Sequence, residues 1–220
     1  MKDINKDYPI SKPHVYKILD NMRYIIAHYL KETYNLEKIT ELNKHDNISV
    51  DESLFVHINN QQLWVVGIIN NNSREIRLEI VENRSAETMK KIITTLIPKG
   101  NRIITDAAAC YNWLNDPDSG YEHSVHNHGH GNFGEGMDST SHIEQLWHNI
   151  KQNIACIYKI IPSENFVLYL KESEFRRNTK KFSKVNVLTE FESICAYVYN
   201  VAGTAFYESK FLSKLTADSF

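Results

Sequence analysis

Three carboxylates in this 220-residue chain stand in settings that suit metal-assisted chemistry. Asp51 closes the apolar run Ile48-Ser49-Val50, and Asp106 closes Arg102-Ile103-Ile104-Thr105. Glu144 lies in Ser141-His142-Ile143-Glu144-Gln145-Leu146-Trp147, the opening of an amphipathic stretch. Two acids at strand ends and a third on a later helix can converge at one edge of a sheet. Hard oxygen donors of this kind suit Mg²⁺ or Mn²⁺, ions with which proteins cut and join phosphodiesters. The chain has 27 acidic residues, so a triple alone is easily found by chance. The case rests on the elements that carry the three.

Between Asp51 and Asp106 lie two strand-like runs. Leu63 to Ile69 is almost continuously apolar, as expected of a central strand, and Glu75 to Val81 alternates charged and apolar residues, the period of a half-buried one. Asn70-Asn71-Asn72-Ser73 between them is a hairpin turn, because Asn tolerates positive φ. Ser85 is placed to cap a helix whose Met89, Ile92, Ile93 and Leu96 recur on one face, and Pro98-Lys99-Gly100 stops it. The strand to Asp106 follows, then a short helical stretch from Ala107 towards Leu114. In the late helix, Ile143, Leu146, Trp147, Ile150, Ile154 and Ile157 mark a stripe facing the core. Glu144, His148 and Lys151, at i, i+4 and i+7, stack on a second face. Strand, strand, strand, helix, strand, helix and late helix make an α/β order, that of an RNase H-like domain with a mixed sheet flanked by helices.

From Val50 to about Asn178 the chain resembles the catalytic domain of DDE transposases of the Merlin type and their bacterial insertion-sequence relatives, the ISXO2-like group. The resemblance runs in order through Val50-Asp51-Glu52-Ser53, Trp64 to Ile69, Arg84 to Thr88, Ile103-Ile104-Thr105-Asp106, Ile143 to Trp147 with Lys151, and Tyr169-Leu170 through Glu174-Phe175-Arg176-Arg177-Asn178. It implies Asp51, Asp106 and Glu144 as a catalytic triad holding two Mg²⁺ or Mn²⁺ ions, with Lys151 as the basic residue two turns after the glutamate. It implies hydrolysis at the element end, then attack of the freed 3′-hydroxyl on target DNA. Ser139-Thr140-Ser141 stands where the family usually has a His-Thr-Asn pattern, and the zinc-ribbon segment of relatives is expected to be absent. A different class stays open: a domesticated or truncated copy that binds DNA or a partner without cutting.

The remaining features bound the picture. His123, His126, His128 and His130 crowd a glycine-rich stretch, which reads as a zinc site, a loop lining the active site, or an ordinary exposed loop. A net charge of −2 gives no support to nucleic-acid binding. Locally, however, Gln145 to Lys184 holds eight Lys/Arg against three Glu. Lys151, Lys159, Arg176, Arg177, Lys180 and Lys181 are the phosphate-contact candidates, with a solvated helix face as the other reading. Ser11 to Met22, extended to Tyr29, is an amphipathic helix or the second helix of a helix-turn-helix whose first helix is expected to be incomplete. The expected division is 1–46, helical; 47–180, the catalytic domain; and 181–220, a helical extension packing on the domain or on a second subunit. No apolar run reaches membrane-span length, the N-terminus is unlike a signal peptide, and Cys110, Cys156 and Cys195 form no close pair. The expectation is an intracellular protein, nuclear in a eukaryotic host.

Overall fold

The computed structural model describes residues 11–33, 46–56, 62–126, 134–135, 138–155, 161 and 165–179. The chain divides into two compact units, Met1–Thr33 with Thr179–Phe220, and Tyr34–Asn178. Within the first, one long helix is described, α1 (Lys12–Thr33). Its apolar stripe is partly open, with Tyr16, Ile18 and Met22 exposed, while Ala27 and Leu30 are buried. The expected helices after residue 180, Lys159, Lys180 and Lys181, and His128 and His130 lie outside the described residues.

The second unit is built on a five-stranded mixed sheet in the order β3-β2-β1-β4-β5. Its strands are β1 (Asn47–Val56), β2 (Gln62–Asn70), β3 (Ile76–Val81), β4 (Arg102–Asp106) and β5 (Glu122–His126). The first three form an antiparallel meander, and β4 and β5 add in parallel beside β1. A mixed sheet in this order, flanked by helices, is the RNase H-like arrangement. A small ribbon, β6 (Gly134–Glu135) with β7 (Asp138–Ser139), precedes the late helix α3 (Ser141–Asn153); α2 (Ala86–Leu96) and α4 (Phe166–Thr179) complete the set.

Strand alternation sorts the core onto two faces. Ile48, Val50, Val66, Ile68 and Ile103 point to one face, against Met89 and Ile93 of α2 and Tyr111 and Leu114. Phe55, Val65, Ile69, Ile76 and Leu78 point to the other, against Ile143, Leu146, Trp147 and Ile150 of α3 and Phe166 and Leu170 of α4. Of the stripe read from the sequence, Ile143, Leu146, Trp147 and Ile150 are buried and Ile154 is partly so, while Ile157 lies outside the described residues. Ser85 caps α2 by accepting from the Thr88 backbone N–H.

Three details depart from the sequence reading. Asp51 does not end its strand: β1 runs on to Val56 because β2 keeps pairing through Val56–Gln62. The stretch after β4 is a 3-10 helix, Ala109–Asn115. In the β2–β3 turn, the residue with positive φ is Arg74 (67°), not an Asn. Asn70 shapes that turn through its side chain, whose Oδ1 accepts from the backbone of Asn72 and Ser73.

Strand β3 is an edge, and α4 closes it. Asn178 Oδ1 accepts from Ile76 N–H (2.9 Å) while its Nδ2 donates to Ile76 O (3.1 Å). Glu174 accepts from Leu78 N–H (3.1 Å), and Lys171 Nζ donates to Leu78 O (2.8 Å). Alternate residues of an edge strand turn their peptide groups outward, so residues at i, i+3 and i+7 of one helix replace a sixth strand.

Candidate active site

Asp51 and Asp106 come together through register. In the parallel β1–β4 pair, Ser49 stands opposite Ile104, and two further residues along each strand bring Asp51 level with Asp106. In-register residues of parallel neighbours share a face, and the strands are about 4.8 Å apart. The next strand continues the row, since Asp106 is paired with His126 of β5. Asp51, Asp106 and His126 thus form a line across three strands on the α3 face, at the level where β4 and β5 end. His126 is buried, and its Nε2 is 3.3 Å from Ser124 Oγ.

Each aspartate is held by a neighbour. Trp147 Nε1 donates to Asp51 Oδ2 at 2.8 Å, and the Ala108 backbone N–H donates to Asp106 Oδ1 at 2.9 Å. Burial pushes the Asp51 carboxyl up to about 7, with the negative charges of Glu52 and Asp106 pushing the same way and the Trp147 hydrogen bond opposing them. Glu52 points to the opposite face. There it accepts the Tyr111 hydroxyl and lies 3.7 Å from Arg84, whose guanidinium stacks over Trp64. Glu52 is therefore a core acid beside the site.

Helix α3 is anchored on β1 before it begins. Ser139 O accepts from Ser49 Oγ (3.1 Å) and from Asn71 Nδ2 (3.2 Å), and Ser139 Oγ bonds Ser141. Further along, Trp147 meets Asp51, and Lys151 Nζ sits 5.5 Å from the Phe55 ring centre. The helix thus runs alongside β1 in the same direction. At about 1.5 Å per helical residue, Glu144 lies about 4.5 Å along α3 from Ser141 and about 4.5 Å before Trp147, the residue that meets Asp51. At about 100° per residue, Glu144, Trp147 and Lys151 also share one flank of the helix. Glu144 is exposed and is reached by Thr140 Oγ1 at 3.2 Å.

Among the described residues, no three of the acids, histidines and cysteines close around a point that could hold an ion. The sheet sets Asp51 beside Asp106, and Glu144 lies in the first turns of α3, one turn before the Trp147 that meets Asp51. Ser141 belongs to the anchor through its bond to Ser139. Both ring nitrogens of His123 are engaged, by Thr105 Oγ1 at 2.9 Å and Asn115 Oδ1 at 2.8 Å, which makes it a strand tie.

The basic candidates separate. Lys151 is exposed beside Phe55. Arg176 is mostly exposed but paired with Glu172 at 2.7 Å, and Arg177 is half-buried in the same last turn of α4. Lys171, counted in the basic excess, is not a phosphate contact. It is half-buried between Glu79 and Glu174, both at 3.0 Å; burial acts to lower its ammonium pKa, but those carboxylates outweigh it and hold the pKa up. Two features escaped the sequence reading, the Trp147–Asp51 bond and the Asp106–His126 pairing. The only signal for the first was a glycine, Gly67, inside an otherwise apolar strand, which marks a close approach.

A sequence profile described as ISXO2-like transposase domain matches residues 29–178. Among functionally curated proteins, no sequence matches this chain. Similar solved structures include the catalytic core domain of BIV integrase, at 16% identity over 59% of this chain and 81% of that one, with a TM-score of 0.41. They also include the dimeric form of the HTLV-2 integrase catalytic core domain in complex with magnesium, at 12% identity over 61% and 86%, with a TM-score of 0.41.

Proposed function

The chain belongs to the ISXO2-like transposase domain family, and from that footing we propose that it cleaves DNA and transfers the cut end using divalent metal held by Asp51, Asp106 and Glu144. The observation that carries the reading is the parallel register of β1 and β4, which pairs Ser49 with Ile104 and, two residues further along each strand, sets Asp51 beside Asp106, whose charge acts on it. The position of Glu144 on α3, one turn before the Trp147 that bonds Asp51, supports it as the third acid. The donor set fits a hard cation, since carboxylate oxygens are the ligands Mg²⁺ and Mn²⁺ take. Asp51 is half-buried beside two other negative groups, a local charge that a bound cation would offset.

When bound, two such ions would polarise the scissile phosphate and favour the attacking oxygen, a water for hydrolysis or a 3′-hydroxyl for transfer. The residues of the chain supply placement. Trp147 and the Ala108 N–H each fix one carboxylate, and the Ser49–Ser139–Asn71 anchor fixes the start of the helix that presents Glu144. Lys151, on the same flank, would neutralise a neighbouring phosphate of element-end or target DNA, with Lys159, Arg176, Arg177, Lys180 and Lys181 as further contacts. A second copy of the chain is the partner that joining two element ends would call for.

The test is a cleavage and strand-transfer assay on candidate element ends with Mg²⁺ and with Mn²⁺. Asp51→Asn, Asp106→Asn and Glu144→Gln should each lower the rate on the order of 10³-fold, about 4 kcal/mol, without abolishing DNA binding. Wild-type protein that binds DNA but turns over in neither metal would instead favour a non-cutting copy.

A further inference from the structure

Trp147 carries more than packing requires. Its indole fills core beside Phe55 in an edge contact (ring centres 6.2 Å apart, planes at 68°), a task a phenylalanine could share. Its N–H, however, reaches Asp51 Oδ2 at 2.8 Å. The residue opposite Asp51 on β2 is Gly67. A Cβ there would lie 2.6 Å from Trp147 Cζ2 and 2.8 Å from Cη2, closer than a side chain tolerates. A glycine costs stability in a central strand because it packs nothing and loses more backbone entropy. Here its missing side chain is what admits the indole.

We propose that Trp147 is a positioning residue for the metal-holding carboxylate of Asp51, and that Gly67 is required to let the indole reach it. The argument rests on the ion-site reading above. One oxygen of Asp51 is pinned by a donor on the same helix as Glu144, one turn further along. The bond therefore sets the orientation of the first acid and the distance between its strand and the helix of the third. Partners that orient a metal ligand in this way typically contribute about 10- to 100-fold to metal affinity.

The experiment titrates Mn²⁺ into the metal-free full-length chain, reads free Mn²⁺ by electron paramagnetic resonance, and follows unfolding in parallel. Trp147→Phe keeps a ring and removes the donor. Gly67→Ala leaves the tryptophan intact and displaces it. Asp51→Asn reports the ion site itself, and Leu146→Ala damages the packing of the same helix without touching Asp51. The expected result is that Asp51→Asn loses Mn²⁺ binding, that Trp147→Phe and Gly67→Ala each weaken it about 10- to 100-fold while still folded, and that Leu146→Ala binds as wild type. Wild-type affinity in Trp147→Phe with loss in Asp51→Asn would overturn the positioning role and leave the ion site standing. A fall in Leu146→Ala matching that of Trp147→Phe would assign the effect to packing and also overturn it. Unchanged affinity in Asp51→Asn would remove the ion site and the proposal together.

Discussion

Asn178→Ala should be among the most damaging single changes in α4, although the residue stands at the far end of the helix from the core aromatics. Its amide makes two hydrogen bonds to one residue of the edge strand, accepting from Ile76 N–H and donating to Ile76 O, and the side chain is buried. Truncation leaves one donor and one acceptor of β3 without partners in a place water does not reach. Each such group costs about 1–3 kcal/mol, so the pair costs roughly 2–6 kcal/mol. For a chain of this size, each kcal/mol lowers the midpoint by about 2–4 °C, giving a shift on the order of 10 °C. Asn178→Asp should be no better, since a carboxylate accepts from the N–H but repels the carbonyl. Thermal and urea unfolding of the full chain, with light scattering to detect pairing of the freed edge, is the assay. A midpoint within about 0.5 kcal/mol of wild type would refute the reasoning, because it would mean that solvent replaces the amide without loss.

Two other expectations follow from paired and unpaired side chains. Burial lowers the His123 pKa, and both its ring nitrogens are bonded. A histidine whose folded pKa lies below its unfolded one contributes stability that is complete above about pH 6.5 and is lost as pH falls through the folded value. Urea midpoints between pH 5 and 8 should therefore fall on the acid side, and His123→Asn should flatten that slope; an unchanged slope counts against the assignment, with the similarly lowered His142 as the other contributor. Lys151→Ala should reduce the salt dependence of DNA binding by about 0.9 in log–log slope, one phosphate contact, whereas Lys171→Met should leave it unchanged while destabilising the fold. The same slope in both variants would refute this division of the lysines.

Much of this was legible in the sequence, and the parts that were not share a cause. Apolar period and turn chemistry are local, so the meander, α2 with its Ser85 cap and the α3 stripe could be read from neighbouring residues. The two aspartates could be found because each follows an apolar run. Their meeting depends on a parallel pairing between residues 55 apart, which no local pattern encodes. Asp51 looked like a strand end for the same reason: what ends beside it is β4, a different strand. Lys171 looked like one more surface cation, since its partner Glu79 is 92 residues away. Trp147 shows in the sequence only its spacing, which marks it as core.

The missed contacts have a common direction. Asn71, Ser139, Trp147 and Gly67 all tie α3 to β1 and β2 on the face that carries Asp51. Lys171, Glu174 and Asn178 tie α4 to β3 at the opposite edge of the meander. Polar side chains thus fix both helices of this face, where apolar packing alone would tolerate small slides. A slide of one helical residue moves Glu144 by about 1.5 Å along β1, and misplacement of about 1 Å in a reacting group can cost on the order of 10²-fold in rate. The directional bonds between α3 and the sheet therefore act where apolar contact cannot. In the proposed site they would set the level of the third acid against the first two.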